Sequence, residues 1–161
     1  MQREPVTAYV ALGANLGEAR QAVLDAVQAL AALPDTALAA CSRLYRTAPH
    51  EAQGPDFINA VACVSTRLTA PQLLDALQAL EQQAGRQRPY VNAPRSLDLD
   101  LLLYGEAYMD SPRLTIPHPR MWGRAFVLHP LADLTPERVS GECLAAVADQ
   151  PITALTEASS P

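Results

Sequence analysis

Apolar positions along this chain change their period several times, and the changes mark out its elements. Residues 7–12 (Thr-Ala-Tyr-Val-Ala-Leu) form a short apolar run that breaks at a turn, Gly13 to Gly17, and predict a strand. From 18 to 33 the period lengthens. Val23, Val27, Leu30 and Leu33 recur at steps of three and four, the stripe of an amphipathic helix that Pro34-Asp35 ends. Residues 37–46 and 57–66 read as two strands, joined by a loop at 47–55 that is longer than a hairpin requires. A second helix is expected over 70–84. Thr69 suits its N-cap, Pro71 its first turn and Gly85 its stop, and Leu73, Leu77, Leu80 and Ala84 share one face.

A polar loop with two prolines follows at 86–96, then a strand at 97–104 whose second half is very apolar. A short strand is expected near 107–109 and another at 114–116, inside a proline-rich stretch. Residues 125–134 and 141–148 predict short helices, the first interrupted by Pro130. The small, polar tail from about Thr153 is expected to fray, giving one domain over 1–150 and a tail at 151–161. The order βαββαβ followed by extra pieces predicts an α+β, ferredoxin-like core: a single domain with an antiparallel sheet and helices packed on it. That fold hosts many unrelated activities.

Composition narrows the chemistry. The chain has 161 residues, and its twelve basic residues are all arginine. Without lysine, a Gly-rich phosphate loop ending in lysine and a Schiff-base lysine are both excluded. The net charge of −5 argues against a general nucleic-acid or membrane binder. Within residues 86–124, six arginines face four acids, a local excess of +2; the rest of the chain carries −7. Such a basic island suits a small anionic ligand. Cys41, Cys63 and Cys143 are odd in number and widely spaced, which fits a reduced, cytoplasmic protein without a zinc site.

The sharpest pattern is Arg95-Ser96-Leu97-Asp98-Leu99-Asp100-Leu101. On a strand, Asp98 and Asp100 share a face and lie roughly 6.5–7 Å apart along it. Such a pair can hold one or two Mg²⁺ through oxygen, and paired metals clamp phosphoryl transfer. A solvated edge with alternating leucines is the plain alternative. Arg86, Arg88 and Arg95 crowd the preceding loop, and Arg113 and Arg124 follow. Phe57 and Asn59 share a face of one strand, and Phe126 follows Arg124. Two rings can sandwich a flat heterocycle while an amide reads its edge, although core packing is the usual fate of phenylalanine. His118 is framed by Pro117 and Pro119. Gln78 and Glu81 share a helix face near the arginine loop.

Taken together, several segments resemble the 6-hydroxymethyl-7,8-dihydropterin pyrophosphokinase family. They are Ala11-Leu12-Gly13-Ala14-Asn15-Leu16-Gly17, Tyr45-Arg46-Thr47-Ala48-Pro49, Asp56-Phe57-Ile58-Asn59-Ala60, Gly85-Arg86-Gln87-Arg88, Ala93-Pro94-Arg95-Ser96-Leu97-Asp98-Leu99-Asp100 and Leu114-Thr115-Ile116-Pro117-His118. They occur in the family's order across roughly residues 7–135. The resemblance implies a diphosphokinase, a transferase that moves pyrophosphate from ATP to the pterin alcohol and releases AMP. It implies three catalytic loops, at about 13–17, 47–56 and 86–96. By position, Asp98 and Asp100 would bind two Mg²⁺, and Arg86, Arg88 and Arg95 would meet the phosphates, joined by Arg124 and His118. Gln78, Glu81, Leu101, Arg113 and Thr115 would contact ATP. Phe57 and Phe126 would stack on the pterin, with Asn59 and the backbone of Thr47, Ala48 and Pro49 reading its edge. Its partners would be those two small molecules, not nucleic acid or membrane, met as a monomer. Tyr90-Val91-Asn92 stands where the family often carries a loop tryptophan, and Pro119 where some members have tyrosine.

Two other classes compete. A non-catalytic ferredoxin-like binding module would have no use for the aspartate pair, and for RNA would present a basic, aromatic sheet. A two-metal nuclease or phosphatase would need more metal ligands than one Asp pair.

Overall fold

Two long strands, β1 (Val6–Ala14) and β4 (Phe57–Thr66), pair antiparallel over nine residues, from Val6 opposite Thr66 to Ala14 opposite Ile58. They form the centre of a computed structural model that describes residues 3–15, 18–48, 56–85 and 97–155. Around them stand α1 (Ala19–Ala31), β2 (Thr36–Cys41), β3 (Tyr45–Thr47), α2 (Ala70–Gly85), β5 (Asp98–Tyr104), β6 (Met109–Asp110), β7 (Thr115–Ile116), α3 (Ala125–Leu134), α4 (Gly141–Ala146) and β8 (Ile152–Ala154). The main sheet runs β5-β1-β4-β3-β8, and β2 also pairs with β4. This is the expected ferredoxin-like arrangement, α+β with an antiparallel sheet, with one strand of the core divided in two.

The expected strand at 37–46 breaks into β2 and β3, and Ser42 shows why. Its backbone N–H donates to the Val61 carbonyl at 2.9 Å, but its side-chain Oγ, not a carbonyl, accepts from the Val61 N–H at 2.9 Å. The ladder continues chemically while the backbone steps aside. β8 is the second departure. The chain stays in the sheet to Ala154, beyond Thr153 where fraying is expected, because Thr47 to Tyr45 offer it an unpaired edge.

Both faces of the central strands are covered. Val10, Leu12, Leu99 and Leu101 pack with Val23, Leu30, Leu73 and Leu77 of α1 and α2. Tyr9, Val61, Leu102 and Leu103 pack with Met121, Leu128 and Leu131 on the other side. Two-sided burial explains the near-continuous apolar runs in β1 and β4. Adjacent Leu102 and Leu103 face the same layer because β5 shifts register against Tyr9 and Val10, a bulge that places two residues where one would stand. α2 begins in a capping box: Gln72 N–H donates to Thr69 Oγ1 at 3.2 Å, and Thr69 N–H donates to Gln72 Oε1 at 2.8 Å. In α3, Pro130 lies inside the helix and lacks the N–H to continue its ladder; burial of Val127, Leu128 and Leu131 keeps the helix in place.

α3 is tied to the sheet edge by polar contacts. Tyr45 Oη donates to Asp133 Oδ2 at 2.8 Å, and Arg43 makes a fork onto the same carboxylate, Nη2 to Oδ1 at 2.9 Å and Nε to Oδ2 at 3.2 Å. Burial, together with the bond to the Asp133 carboxylate, pushes the Tyr45 hydroxyl up to about 12. Burial alone would raise Asp133, but hydrogen bonds from Arg43 and Tyr45 outweigh it and hold the acid below its ordinary 3.8. A depressed folded-state acid adds stability above the unfolded value and loses it as pH falls through the folded one. Asp133→Ala is expected to lower unfolding free energy by about 1–2 kcal/mol at neutral pH, since the buried Tyr45 hydroxyl loses its acceptor. The deficit should shrink in acid, below the ordinary carboxylate range, as read by urea unfolding at several pH values.

Candidate active site

Where β1, β4 and β5 run side by side, their ends open into one cleft of about 1240 Å³. The sheet supplies Gly13, Thr47, Phe57 and Asn59, and β5 supplies Asp98 and Asp100. α2 adds Leu74, Gln78 and Glu81, and the segment before and into α3 adds Arg120, Arg124 and Phe126. Size and mixed lining suit a ligand larger than a single ring.

The acid pair is placed by strand alternation. Leu97, Leu99 and Leu101 are buried, whereas Asp98 is exposed and Asp100 half-buried. The two acids thus share the cleft side of β5, opposite Gly13 and Ala11 of β1. Leu101, by the same alternation, sits in the layer under α1 and α2. The N–H of Leu99, on the side of β5 away from β1, donates to Glu81 Oε2 at 2.7 Å, so this glutamate fixes the acid-bearing strand to α2. Two carboxylates in an open cleft fit Mg²⁺, which is usually bound by one or two carboxylates plus water and substrate phosphate oxygens. Among the described residues no cluster of three or more His, Cys, Asp or Glu would hold a metal unaided.

At the ring-bearing end, Asn59 is 4% exposed and its Nδ2 donates to Thr47 Oγ1 at 2.8 Å. The carboxamide oxygen Oδ1 lies against Gly13, where a Cβ would stand only 2.9 Å from it. Glycine at 13 is therefore required by a close approach. Phe57 and Phe126 are both half-buried in the cleft, and the Arg124 guanidinium lies 5.4 Å from the Phe126 ring centre. That is a cation–π contact.

His118 stands outside the cleft lining. Burial lowers its pKa, and Arg124 and Arg120 add to this against the opposing pull of Asp100. The balance favours the uncharged imidazole. Its Nδ1 accepts from the Arg120 N–H at 3.2 Å, so the proton is assigned to Nε2.

The cleft thus brings together Thr47, Phe57, Asn59, Gln78, Glu81, Asp98, Asp100, Arg124 and Phe126 of the expected set. Leu101, Arg113, Thr115 and His118 stand outside its lining, and Arg113 ion-pairs with Asp75 on α2. Ala48 is exposed at the end of β3. Pro49, Arg86, Arg88 and Arg95 lie outside the described residues. Sequence reasoning missed Arg120, Asp149 and Gln150, which all line the cleft. Arg120 was visible as part of the basic island. Asp149 and Gln150 follow the last helix in a segment with no periodic signal.

The fold has close likenesses among solved structures. The wild-type HPPK-DHPS of Plasmodium falciparum with pterin and p-hydroxybenzoate matches with a TM-score of 0.69 at 13% identity, over 92% of this chain and 43% of that one. The chain thus spans less than half of that longer protein, and the likeness shows the fold class, an α+β domain. The model of the 7,8-dihydro-6-hydroxymethylpterin-pyrophosphokinase (HPPK) family matches residues 9–136, and the chain belongs to that family. It is 52% identical over 130 residues to the 2-amino-4-hydroxy-6-hydroxymethyldihydropteridine pyrophosphokinase of Pseudomonas aeruginosa, covering 80% of each chain. With the Haemophilus influenzae protein of the same name it shares 42% over 135 residues, 83% of this chain and 84% of that one. The chain is accordingly an enzyme of the pyrophosphokinase class of transferases.

Gly13→Ala is expected to force Asn59 off Thr47 and to cost about 1–3 kcal/mol of stability. In an Asn59→Ala background the same substitution should cost little. Chemical unfolding of the single and double variants checks this; equal costs in the two backgrounds would remove the close-approach argument.

Proposed function

We propose that this pyrophosphokinase transfers the β,γ-diphosphate of ATP to the hydroxymethyl oxygen of 6-hydroxymethyl-7,8-dihydropterin, giving AMP and the pterin pyrophosphate for folate biosynthesis. The observation that carries the reading is the shared cleft: the Asp98–Asp100 pair and Arg124 open into the same space as Phe57, Phe126 and Asn59. One cleft can then hold a polyphosphate and a flat heterocycle together. No helix among the described residues is long and apolar enough to cross a membrane.

In the proposed reaction a new bond forms between the pterin alcohol oxygen and the β-phosphorus. The bond from that phosphorus to the α,β-bridging oxygen breaks, and AMP departs. The alcohol proton passes to solvent. Asp98 and Asp100 would hold two Mg²⁺, which supply charge neutralisation on the triphosphate and activation of the alcohol. Arg124 supplies a guanidinium fork for a phosphate oxygen, and Arg86, Arg88 and Arg95 are assigned the same work from their loop. His118 is a neutral donor through Nε2. Phe57 and Phe126 clasp the pterin faces, and Asn59, held by Thr47, reads its polar edge. Gln78 and Glu81, in the cleft lining, are assigned to ATP, Glu81 by holding β5 at Leu99; Leu101, Arg113 and Thr115, outside that lining, are assigned to it on the family resemblance. The backbone of Thr47, Ala48 and Pro49 is assigned to the pterin edge.

AMP release measured with ATP, Mg²⁺ and the pterin alcohol should require all three. No AMP under any condition would point to a binding module. Asp98→Ala or Asp100→Ala should lower kcat roughly a hundredfold or more, the scale of losing one charge-stabilising group, with pterin affinity largely kept. Near-normal turnover in either variant would sink the metal assignment. Arg86→Ala should slow the chemical step in rapid-mixing experiments; an unchanged single-turnover rate would remove Arg86 from transition-state stabilisation.

A further inference from the structure

We propose that Gln150 is a positioning residue, whose side-chain amide sets where Arg124 and Phe126 stand in the cleft. It lies beyond the family match, which ends at residue 136. The inference rests on the roles proposed above for Arg124 and Phe126.

The geometry is two-handed. Gln150 Oε1 accepts from the Ala125 N–H at 2.9 Å, and Gln150 Nε2 donates to the Gly123 carbonyl at 2.9 Å. Gly123 and Ala125 are the two neighbours of Arg124. One amide therefore grips the backbone on both sides of the arginine. Arg124 is the N-cap of α3, in an extended conformation (φ −125°, ψ 114°), and its own side chain makes no capping hydrogen bond. The Ala125 N–H is one of the orphan donors of a helix start. Ala125 is 1% exposed, so losing the Gln150 acceptor leaves that donor in a buried place. Gly123 has no side chain to steady the segment, and the space where its Cβ would stand is open.

The same short stretch also reaches the other wall. Two residues after Gln150, Ile152 pairs with Thr47, the residue whose hydroxyl accepts from Asn59. Residues 150–152 thus connect the Arg124–Phe126 wall to the Thr47–Asn59 wall. A polar, aperiodic segment at the end of the domain gauges the distance between the two sides of the ring-binding end.

The test uses the full chain. Gln150→Met keeps length and removes both bonds; Gln150→Glu keeps the acceptor and loses the donor. Positioning predicts that Gln150→Met loses about tenfold to a hundredfold in kcat/KM at temperatures well below its melting point. It also predicts that Gln150→Glu loses less, and that the Ala125 amide exchanges faster with deuterium in Gln150→Met. In an Arg124→Ala background, Gln150→Met should add less loss than it does in the wild type, the remainder being the share that acts through Phe126. Unchanged kcat and KM with only a lower melting temperature would overturn the proposal, as would full additivity with Arg124→Ala. If Gln150→Met does not fold, Gln150→Glu alone decides, by kcat/KM and by its coupling to Arg124→Ala. Absence of AMP release in the wild type would instead overturn the reaction. The Ala125 exchange rate and ATP affinity, read by calorimetry, would then decide the Gln150 role independently.

Discussion

Asn59 presses its carboxamide oxygen onto the one residue of β1 that has no side chain, and this contact fixes the register of the two central strands. A slip of one residue would set Leu12 or Ala14 opposite Asn59, with a Cβ where only Gly13 leaves room. It would also exchange the two apolar layers, because side chains alternate along a strand. β5 takes its place from β1, and β3 from β4, so the positions of Asp98 and of Thr47 both descend from that register. Asn59 also lines the cleft beside Phe57. A single side chain therefore aligns the strands and forms part of the cleft wall, and its bond to Thr47 holds the carboxamide in one orientation there.

The acid pair owes its direction to regular pleating over Asp98–Leu101. Beyond it, the bulge at Leu102–Leu103 turns two leucines onto the α3 layer. Regular strand on one half and bulge on the other let β5 present carboxylates at its open end and anchor firmly at its closed end. Glu81 and the segment ending in His118 hold the same strand from outside, through Leu99 N–H and the Leu102 carbonyl.

Much of this was legible in the sequence. The helical stripes on α1 and α2, the Thr69 cap and the alternation through Asp98 and Asp100 are local signals, and local periodicity reports them well. Ser42 could not be read this way, because whether a serine hydroxyl replaces a carbonyl in a ladder depends on the strand beside it. β8 is three residues held extended by the edge of β3, a tertiary reason that leaves no pattern in Ile152–Ala154. Gln150 shows the same limit for the site. Its partners are backbone atoms at Gly123 and Ala125, and backbone atoms carry no residue identity for sequence reasoning to pair with. Arg113 illustrates the reverse: its charge is plain in the sequence, but its partner Asp75 on α2 is met only when the fold brings α2 and the loop before β7 together.

The way β5 is held on its outer side has a consequence for association. An edge strand ordinarily displays a row of free N–H and carbonyl groups that invite another strand, from a second copy or an unfolded chain. Here the Leu99 N–H is taken by a carboxylate from α2 and the Leu102 carbonyl by the N–H of His118. A strand arriving at that edge would have to displace both before it could pair. The fastenings that hold the acids steady toward the cleft also guard the β5 edge of the sheet against pairing.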